Sequence, residues 1–238
     1  MADPVTNLVT LEPVRPVPSA AELASRIEHT LLKPEADWPA IERLCGEAVE
    51  HRFAAAVVYP CWVKRAAARL NGTGISVGTV VGFPHGAGSA VAKVAESAVA
   101  ISDGASDLDM VLPIGLVRSG MWDEAASHIE AVAAVCRQAN AVLKVILECC
   151  YLTDGEKWRA AELCIGAGAD YVKTSTGLAP GGATIEDVRL LRRCVGGRCR
   201  IKAAGGIRDL SFALDLLAAG ADRLGTSAGV SLLQQAQK

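Results

Sequence analysis

The sequence predicts an α/β protein built as a single (β/α)8 TIM barrel, and three observations favour this fold. Short apolar segments alternate with helical segments of about ten or more residues, and eight such units fit into 238 residues. No Gly/Ser-rich or highly charged linker divides the chain. Charged residues recur inside several strands, as a barrel with a polar interior requires. A doubly wound open sheet is the alternative fold, and the sequence supports it less because no G-x-G-x-x-G follows an early strand.

The predicted elements follow one another from the N-terminus. Residues 1–18 are proline-rich without periodicity, which predicts a flexible N-terminal arm, and residues 19–238 form the barrel domain. Ser19 and Glu22 predict a capping box and therefore an extra helix before the barrel. The strands are predicted at residues 29–32, 54–59, 75–83, 107–112, 143–148, 170–176, 200–204 and 222–226. Helices are predicted at 38–51, 60–71, 89–103, 121–138 and 154–165, between the sixth and seventh strands, and at the C-terminus.

The composition argues against several classes of partner. A formal net charge of -2 gives no reason to expect nucleic acid or an anionic membrane surface. No apolar run is long enough to cross a bilayer, and the N-terminus lacks a basic segment followed by an apolar one, so we expect a soluble, cytoplasmic protein. The eight cysteines are expected to be reduced, with Cys45, Cys61, Cys136, Cys164 and Cys194 as core residues. The four histidines show no ligand spacing, so neither a metal site nor a cofactor is expected.

Two lysines lie inside predicted buried strands. Lys173 stands between β-branched and aromatic residues, and Lys202 repeats the pattern in the next strand. A lysine that reaches out from a strand end would explain Lys173 alone equally well. If the two strands are parallel neighbours, however, both amines can face one interior, where at roughly 5–6 Å and a dielectric of about 20 they repel by ~3 kcal/mol, or about two pKa units. One of them should give up its proton near neutral pH and can then act as a nucleophile.

Three further charged residues share the predicted inward face. Asp109 is the expected partner of Lys202 or of a water molecule near Lys173, and the alternative is an ion pair that only makes burial tolerable. Lys144 lies at the start of the fifth strand, where barrel residues usually serve stability. Glu148 lies at the carboxyl end, where active sites sit, and is interpreted as an orienting residue. Lys144 and Glu148 are therefore supporting candidates.

Small residues after three adjacent strands predict a phosphate site. Glycine-rich turns expose backbone N–H groups at the catalytic rim of a barrel, and three such turns on neighbouring strands exceed ordinary turn chemistry. An arginine beside the second turn can add positive charge. The candidate phosphate-binding residues are Thr176, Gly177, Gly205, Gly206, Arg208, Gly225 and Ser227.

These segments together resemble the signature motifs of the 2-deoxyribose-5-phosphate aldolases. The resemblance spans about residues 20–230 and rests, in order, on Glu28-His-Thr-Leu-Leu-Lys-Pro34, Val81-Gly-Phe-Pro-His-Gly86, Leu108-Asp-Met110, Lys173-Thr-Ser-Thr-Gly177 and Lys202-Ala-Ala-Gly-Gly-Ile-Arg208. It implies a class I aldolase (EC 4.1.2.4) of deoxyribonucleoside catabolism that acts on small phosphorylated sugars and aldehydes and forms a homodimer or higher homo-oligomer. It also implies that Lys173 forms the Schiff base, that Lys202 lowers its pKa and transfers protons, and that Asp109 belongs to a proton relay.

Two positions depart from the pattern of this family. Many members have Asp at the position of Glu28, where a longer side chain should keep the carboxylate role. Some members have Lys at the position of Leu178, so the leucine in this chain removes a cation near the phosphate. Weaker discrimination for phosphorylated substrates is therefore expected here.

Two other functions stay open on the sequence alone. One is another Schiff-base barrel that acts on a larger sugar or keto acid phosphate. The other is a phosphate-ligand binding protein in which both lysines keep ordinary pKa values and hold an anion without forming an imine.

Overall fold

The computed structural model describes residues 18–237 and shows a closed barrel of eight parallel strands. Each strand pairs with its neighbours in chain order, and β1 closes the barrel against β8. The predicted fold class is confirmed, while the proposed arm, apart from Pro18, lies outside the described residues. The strands are β1 (Ile27–Leu31), β2 (Ala55–Val58), β3 (Ser76–Val81), β4 (Asp107–Val111), β5 (Val142–Ile146), β6 (Tyr171–Lys173), β7 (Arg200–Ala204) and β8 (Arg223–Thr226).

Helices connect the strands and cover the barrel. They are α1 (Ala20–Ala24), α2 (Trp38–His51), α3 (Val63–Leu70), α4 (Ala90–Ser102), α5 (Ile114–Arg118), α6 (Trp122–Ala139), α7 (Asp154–Ala167), α8 (Ile185–Val195), α9 (Leu210–Ala218) and α10 (Gly229–Ala236). Short 3-10 turns lie at Pro60–Trp62 and Cys149–Tyr151. The capping box of Ser19 and Glu22 begins α1 as predicted, since each residue binds the backbone N–H of the other. Helix α5 was not predicted.

The alternation of side chains along the strands separates two environments. Leu108 and Met110 of β4 point outwards into the apolar core between sheet and helices. Asp109 between them points inwards, opposite Lys144 of β5 in the strand register. Lys173 and Lys202 are likewise register partners on β6 and β7. The charged residues therefore converge inside the barrel, as the sequence predicts.

Differences from the predicted boundaries of three strands affect the candidate site residues. Strand β1 begins two residues earlier than expected, because Ile27 pairs with Leu224 of β8, and this brings Glu28 into the barrel. Strand β6 is only three residues long. Strand β5 ends at Ile146, and Glu148 follows in a left-handed conformation with φ 55° and ψ 65°. Glu148 thus does not share a strand face with Lys144, since the chain turns directly into the Cys149–Tyr151 3-10 helix.

Two findings concern the sequence-wide expectations. Within residues 18–237, no helix is both long and apolar enough to span a membrane. All eight cysteines lie in the described region, and none forms a disulfide there. Cys45, Cys136, Cys164 and Cys194 are buried as expected, whereas Cys61 is exposed. The prediction of a core position for Cys61 was wrong, because this residue lies in the 3-10 turn that precedes α3.

Candidate active site

Asp109 lies at the centre of the barrel and contacts both strand lysines. Lys173 Nζ donates a hydrogen bond to Asp109 Oδ2 at 2.7 Å, and Lys202 Nζ donates to the same oxygen at 2.6 Å. Lys173 is 2% exposed and Lys202 is fully buried. The structure therefore brings the three principal candidates together in one pocket that bulk water hardly reaches.

Two more carboxylates and a third lysine complete this cluster. Lys144 Nζ lies 2.5 Å from Asp107 Oδ1, 3.4 Å from Asp109 Oδ1 and 3.5 Å from Glu28 Oε1. Glu28 also accepts a hydrogen bond from Lys202. The side chains of Glu28, Lys144 and Asp109 are each 1% exposed. Three cations and three anions thus balance one another, as buried charges must.

Glu28 is the member of this cluster that sequence reasoning did not select as a site residue. It was identified only as a departure within the first motif. The available signal was a single carboxylate in a short apolar strand, at a position that faces inwards once β1 begins at Ile27. A buried glutamate in such a strand requires a cation, and Lys202 supplies it.

The surroundings shift the pKa values of the cluster in different directions. Burial lowers the pKa of Lys173, and Asp109 opposes this while Lys202 lowers it further, which leaves a pKa of about 8. Burial also acts on Lys144, but Glu28, Asp109 and Asp107 together hold its pKa well above the ordinary value. For Asp109, burial favours the neutral form, yet three neighbouring ammonium groups keep its pKa well below the usual range.

Burial is therefore a larger cause of the low Lys173 pKa than the repulsion on which the sequence argument relied. The repulsion from Lys202 has the predicted sign and adds to it. An amine with a pKa near 8 is neutral in about a tenth of the molecules at pH 7. Such an amine can attack a carbonyl carbon.

All seven candidate phosphate-binding residues line one cleft, and Lys173 lines it as well. The cleft has a volume of about 220 Å³ and opens at the carboxyl ends of β1, β6, β7 and β8. Its lining residues are Thr30, Leu31, Leu32, Lys33, Lys173, Thr176, Gly177, Leu178, Ala204, Gly205, Gly206, Ile207, Arg208, Gly225, Thr226 and Ser227. The cleft therefore joins the reactive amine to the predicted anion site.

The glycines of the cleft are required by its shape. Gly177, Gly205 and Gly206 have φ values of 84°, 95° and 81°, which side-chain-bearing residues rarely adopt. A Cβ atom on Gly205 would also lie only 3.0 Å from the Cα of Gly182. On the neighbouring strand, a Cβ atom on Gly225 would lie 2.9 Å from Cε of Lys202. The bare backbone thus leaves both the turn and Lys202 in place.

The positive end of a helix and two cations also adjoin the cleft. Ser227 lies just before α10, whose N-terminus carries a partial positive charge. Arg208 approaches from the loop after β7, as expected. Lys33 approaches from the loop after β1 and was not selected from the sequence, although it is the first cation after the carboxyl end of that strand. Among residues 18–237, no Asp or Glu lines the cleft.

Glu148 supports the rim of this cleft from a neighbouring cavity. It accepts hydrogen bonds from the backbone N–H of Thr176 at 3.2 Å and from the Thr176 hydroxyl. It lines a second cavity of about 250 Å³, which Thr176 and Leu178 share with the cleft. Lys144, by contrast, reaches neither cavity, so its described contacts are with the carboxylate cluster and the Tyr171 ring.

The donor set suits imine chemistry. Across the described chain, no group of three or more His, Cys, Asp or Glu side chains is placed to hold a metal ion. What the site offers instead is an amine that can lose its proton at neutral pH, a carboxylate within 2.7 Å of it and a second ammonium on that carboxylate. These are the groups needed to form and break an imine while protons move between neighbours.

Comparison with known proteins agrees with this geometry. Residues 26–236 match the model of the DeoC/LacD family aldolases. The deoxyribose-phosphate aldolase of Carboxydothermus hydrogenoformans is 47% identical over 218 residues, which cover 91% of this chain and 96% of that protein. The enzyme of the same name from Brevibacillus brevis is 48% identical over 211 residues, or 89% and 95% of the two chains.

Among solved structures, the tetrameric deoxyribose phosphate aldolase from Aeropyrum pernix superposes with a TM-score of 0.88 at 31% identity. The match covers 92% of this chain and 93% of that chain. Both the length of these matches and their identity agree with the motifs quoted above. The chain belongs to the DeoC/LacD family of aldolases.

Proposed function

We propose that this protein is a Schiff-base aldolase that reversibly cleaves 2-deoxy-D-ribose 5-phosphate to acetaldehyde and D-glyceraldehyde 3-phosphate. The observation that carries the proposal is the Asp109 carboxylate held between Lys173 and Lys202 at the base of a cation-lined cleft. The family membership and the names of the relatives support the same substrate.

The reaction begins at Lys173. Its neutral Nζ attacks the C1 carbonyl of the open-chain sugar, and the carbinolamine that forms loses water to give a protonated imine. This iminium carries the positive charge that the ammonium carried before, so Asp109 continues to stabilise it at the same place. A buried iminium beside a carboxylate costs no additional charge separation.

The second step breaks the C2–C3 bond. A base accepts the proton of the C3 hydroxyl, C3 becomes the aldehyde carbon of D-glyceraldehyde 3-phosphate, and the bonding electrons move into the iminium to give an enamine. Protonation of the enamine at C2 and hydrolysis then release acetaldehyde and the free amine. Asp109 and Lys202 form the proton relay. Asp109 Oδ2 accepts hydrogen bonds from Lys202 Nζ at 2.6 Å and from Lys173 Nζ at 2.7 Å, so a proton can pass between these groups.

The cleft fixes the other end of the substrate. Thr176, Gly177, Gly205, Gly206, Arg208, Gly225 and Ser227 surround the 5-phosphate in this proposal, because backbone N–H groups and a cation line the same space as Lys173. Glu148 holds the Thr176 turn, and Lys144 forms ion pairs with Asp107 and Asp109. Binding the phosphate places C1 near Nζ, which replaces a chance encounter by a positioned one.

Covalent trapping tests the chemistry directly. Borohydride with acetaldehyde should reduce the imine and add one ethyl group, which peptide mass mapping should locate on Lys173. The Lys173→Ala variant should neither trap nor cleave, whereas Lys157→Ala, which removes a lysine paired with Asp154 and Asp187 on the outer helices, should do both. A phosphate-binding protein without chemistry would give no adduct. A Schiff-base barrel for a larger substrate would form an adduct yet fail to cleave deoxyribose 5-phosphate.

We also propose that the chain assembles into a homodimer or higher homo-oligomer through the outer face of α4. This helix presents an exposed face without a charged residue, on which Val91 and Val99 are 78% and 63% exposed. The face consists of Val91, Ala92, Ala95, Ala98, Val99 and Ser102. Exposed apolar surface of this extent on one helix marks an interaction surface.

The helices beside α4 favour a second copy of the chain as its partner. Helix α3, with exposed Lys64 and Arg69, lies on one side, and α6, with exposed Asp123 and Glu130, lies on the other. A two-fold axis running along α4 between two copies places α3 of each copy against α6 of the other. Positive charge then faces negative charge twice.

Light scattering tests this interface. The Val99→Lys variant should lower the assembly state, whereas Ser211→Lys, on exposed surface of α9, should not. A wild-type monomer, or a Val99→Lys protein that stays assembled, would contradict the proposal. Dissociation on deletion of residues 1–17, with Val99→Lys unaffected, would assign the contact to the N-terminal segment instead.

A further inference from the structure

We infer that Lys33 is a specificity-determining residue that binds the 5-phosphate of the substrate together with Arg208. The inference rests on the proposed function and extends it to a residue outside the glycine turns. Lys33 lies two residues after the end of β1, and Arg208 lies four residues after the end of β7. Both side chains line the cleft that also contains Lys173.

The position of β8 explains how the two cations act on one anion. In the closed barrel, β8 lies between β7 and β1. Gly225 of β8 and Ser227 beyond it therefore form the floor between Arg208 on one side and Lys33 on the other. A phosphate on this floor meets backbone donors below it and one cation from each flank.

The charges around Lys33 leave it free for a ligand. Within residues 18–237, neither Lys33 nor Arg208 has an ion pair or a side-chain hydrogen bond, and the cleft has no carboxylate in its lining. Lys33 also borders another cavity, distinct from the one lined by Glu148. Glu35, Asp37 and Glu47 line this cavity, yet the Lys33 amine lies within ion-pair distance of none of them. A phosphate ester carries about -1.5 to -2 charges at pH 7, which two unpaired cations match.

Leu178 shows why Lys33 decides this preference. The side chain of Leu178 lines the cleft after β6 and is 56% exposed, so the β6 flank contributes no cation. With Arg208 as the only other cation at the rim among the lining residues, removal of Lys33 halves the positive charge that faces the phosphate. Lys33 therefore supplies from β1 the cation that Leu178 does not supply from β6, and the preference for phosphorylated substrates, which Leu178 is expected to weaken, depends on Lys33.

Paired substrates test the inference. The Lys33→Ala variant should lose roughly tenfold or more in kcat/KM for deoxyribose 5-phosphate, mainly through a higher KM, because a charge-assisted hydrogen bond has that worth. Its kcat/KM for deoxyribose without phosphate should stay within about twofold. Lys33→Arg should keep most of the preference. Inorganic phosphate should inhibit deoxyribose cleavage by the wild type more strongly than by Lys33→Ala.

Two controls separate this role from a structural one. Adding Leu178→Lys to Lys33→Ala should restore part of the preference from the opposite flank, and Arg193→Ala, which removes an exposed cation of α8, should change neither substrate. Equal losses on both substrates, or no loss on either, would overturn the inference. Failure of the proposed function looks different, since wild-type protein would then cleave neither substrate, whether or not acetaldehyde gives an adduct on Lys173.

Discussion

Replacing Lys202 by Met tests how the pKa of Lys173, the proposed nucleophile, is lowered. Lys202 and Lys173 share Asp109 Oδ2 at 2.6 and 2.7 Å, so the ammonium of Lys202 lowers the pKa of Lys173. In Lys202→Met the repulsion is gone, and the attraction of Asp109 for Lys173 is no longer divided. Burial of Lys173, the largest cause of its low pKa, stays the same. We therefore expect the pKa of Lys173 to rise.

The size of the rise follows from the geometry. Two ammonium groups on one carboxylate oxygen lie about 5 Å apart, and at an effective dielectric of about 20 they repel by roughly 3 kcal/mol, or about two pKa units. The pKa of Lys173 should then move from about 8 to near 10. The neutral fraction at pH 7 falls from about a tenth to about a thousandth, and imine formation slows by roughly a hundredfold.

The pH dependence of borohydride trapping with acetaldehyde measures this directly, because trapping reports imine formation and does not require C–C cleavage. Wild type should reach half of its maximal rate near pH 8, and Lys202→Met about two units higher. Lys202→Arg keeps the positive charge and serves as the matched control. In Lys202→Met, Glu28 loses the lysine that donates a hydrogen bond to it. Combining Lys202→Met with Glu28→Gln removes this carboxylate as well, so the double variant controls for misfolding caused by an unpaired buried charge.

A Lys202→Met profile whose midpoint stays near pH 8 would refute this reasoning. If the rate were low at every pH, Lys202 would act in proton transfer without setting the pKa of Lys173. If the rate recovered at high pH, the electrostatic explanation would stand. Thermal melting of each variant over the same range shows whether the fold persists.

Three other substitutions give separate predictions. Asp109→Asn should move the pKa of Lys173 below about 8, since the attraction that raises it is lost, while cleavage should slow by about 10²–10⁴-fold; a trapping profile shifted upwards would contradict this. Gly205 has a φ of 95°, and a Cβ atom there would lie 3.0 Å from the Cα of Gly182, so Gly205→Ala should raise KM for the phosphorylated sugar and lower stability by about 1–3 kcal/mol. Gly72 has a φ of 75° but open space around its Cβ position, so Gly72→Ala should leave KM unchanged. Lys93 is buried, and burial lowers its pKa to about 8, so below that pH the folded protein must bury a charged ammonium. Between pH 8 and 10.5 the unfolded chain binds more protons at this residue than the folded chain, so the contribution of Lys93 to wild-type stability rises with pH. Lys93→Met should therefore be the more stable protein in urea at pH 7, with a smaller advantage at pH 10; an advantage that grew with pH would contradict this.

The inward charges were predictable because strand geometry is local. Asp109, Lys173 and Lys202 stand in short apolar segments where alternation fixes the face of each side chain. Parallel neighbours then fix their height, and the register confirms that Lys173 lies opposite Lys202. The glycine turns after β6 and β7 meet Gly225 and Ser227 at the end of β8 in one cleft for the same reason, since the carboxyl ends of parallel strands share one rim.

The residues that sequence reasoning missed depend on distant parts of the chain. Glu28 enters the barrel because β1 pairs with β8, almost two hundred residues later in the chain, and this pairing sets where β1 begins. Lys33 reaches the cleft because barrel closure brings β1 beside β8, which pairs with β7 on its other side. Glu148 was selected as an orienting residue but misplaced on the strand face, because the chain leaves the strand pattern at this single left-handed residue, which alternation does not reveal. Barrel closure and single-residue changes of backbone conformation are thus the features that alternation along a strand does not predict.

The distribution of charge around the cluster decides which lysine is reactive. Lys144 and Lys173 are both deeply buried, so the loss of water acts similarly on each. Lys144 lies within ion-pair distance of three carboxylates, whereas Lys173 contacts Asp109 alone and faces Lys202 across it. The pKa of Lys144 is raised and that of Lys173 is lowered to about 8. The cluster is neutral as a whole, which permits burial, yet the carboxylates are gathered around Lys144 and Lys202, and this unequal sharing leaves the amine next to the cleft able to lose its proton.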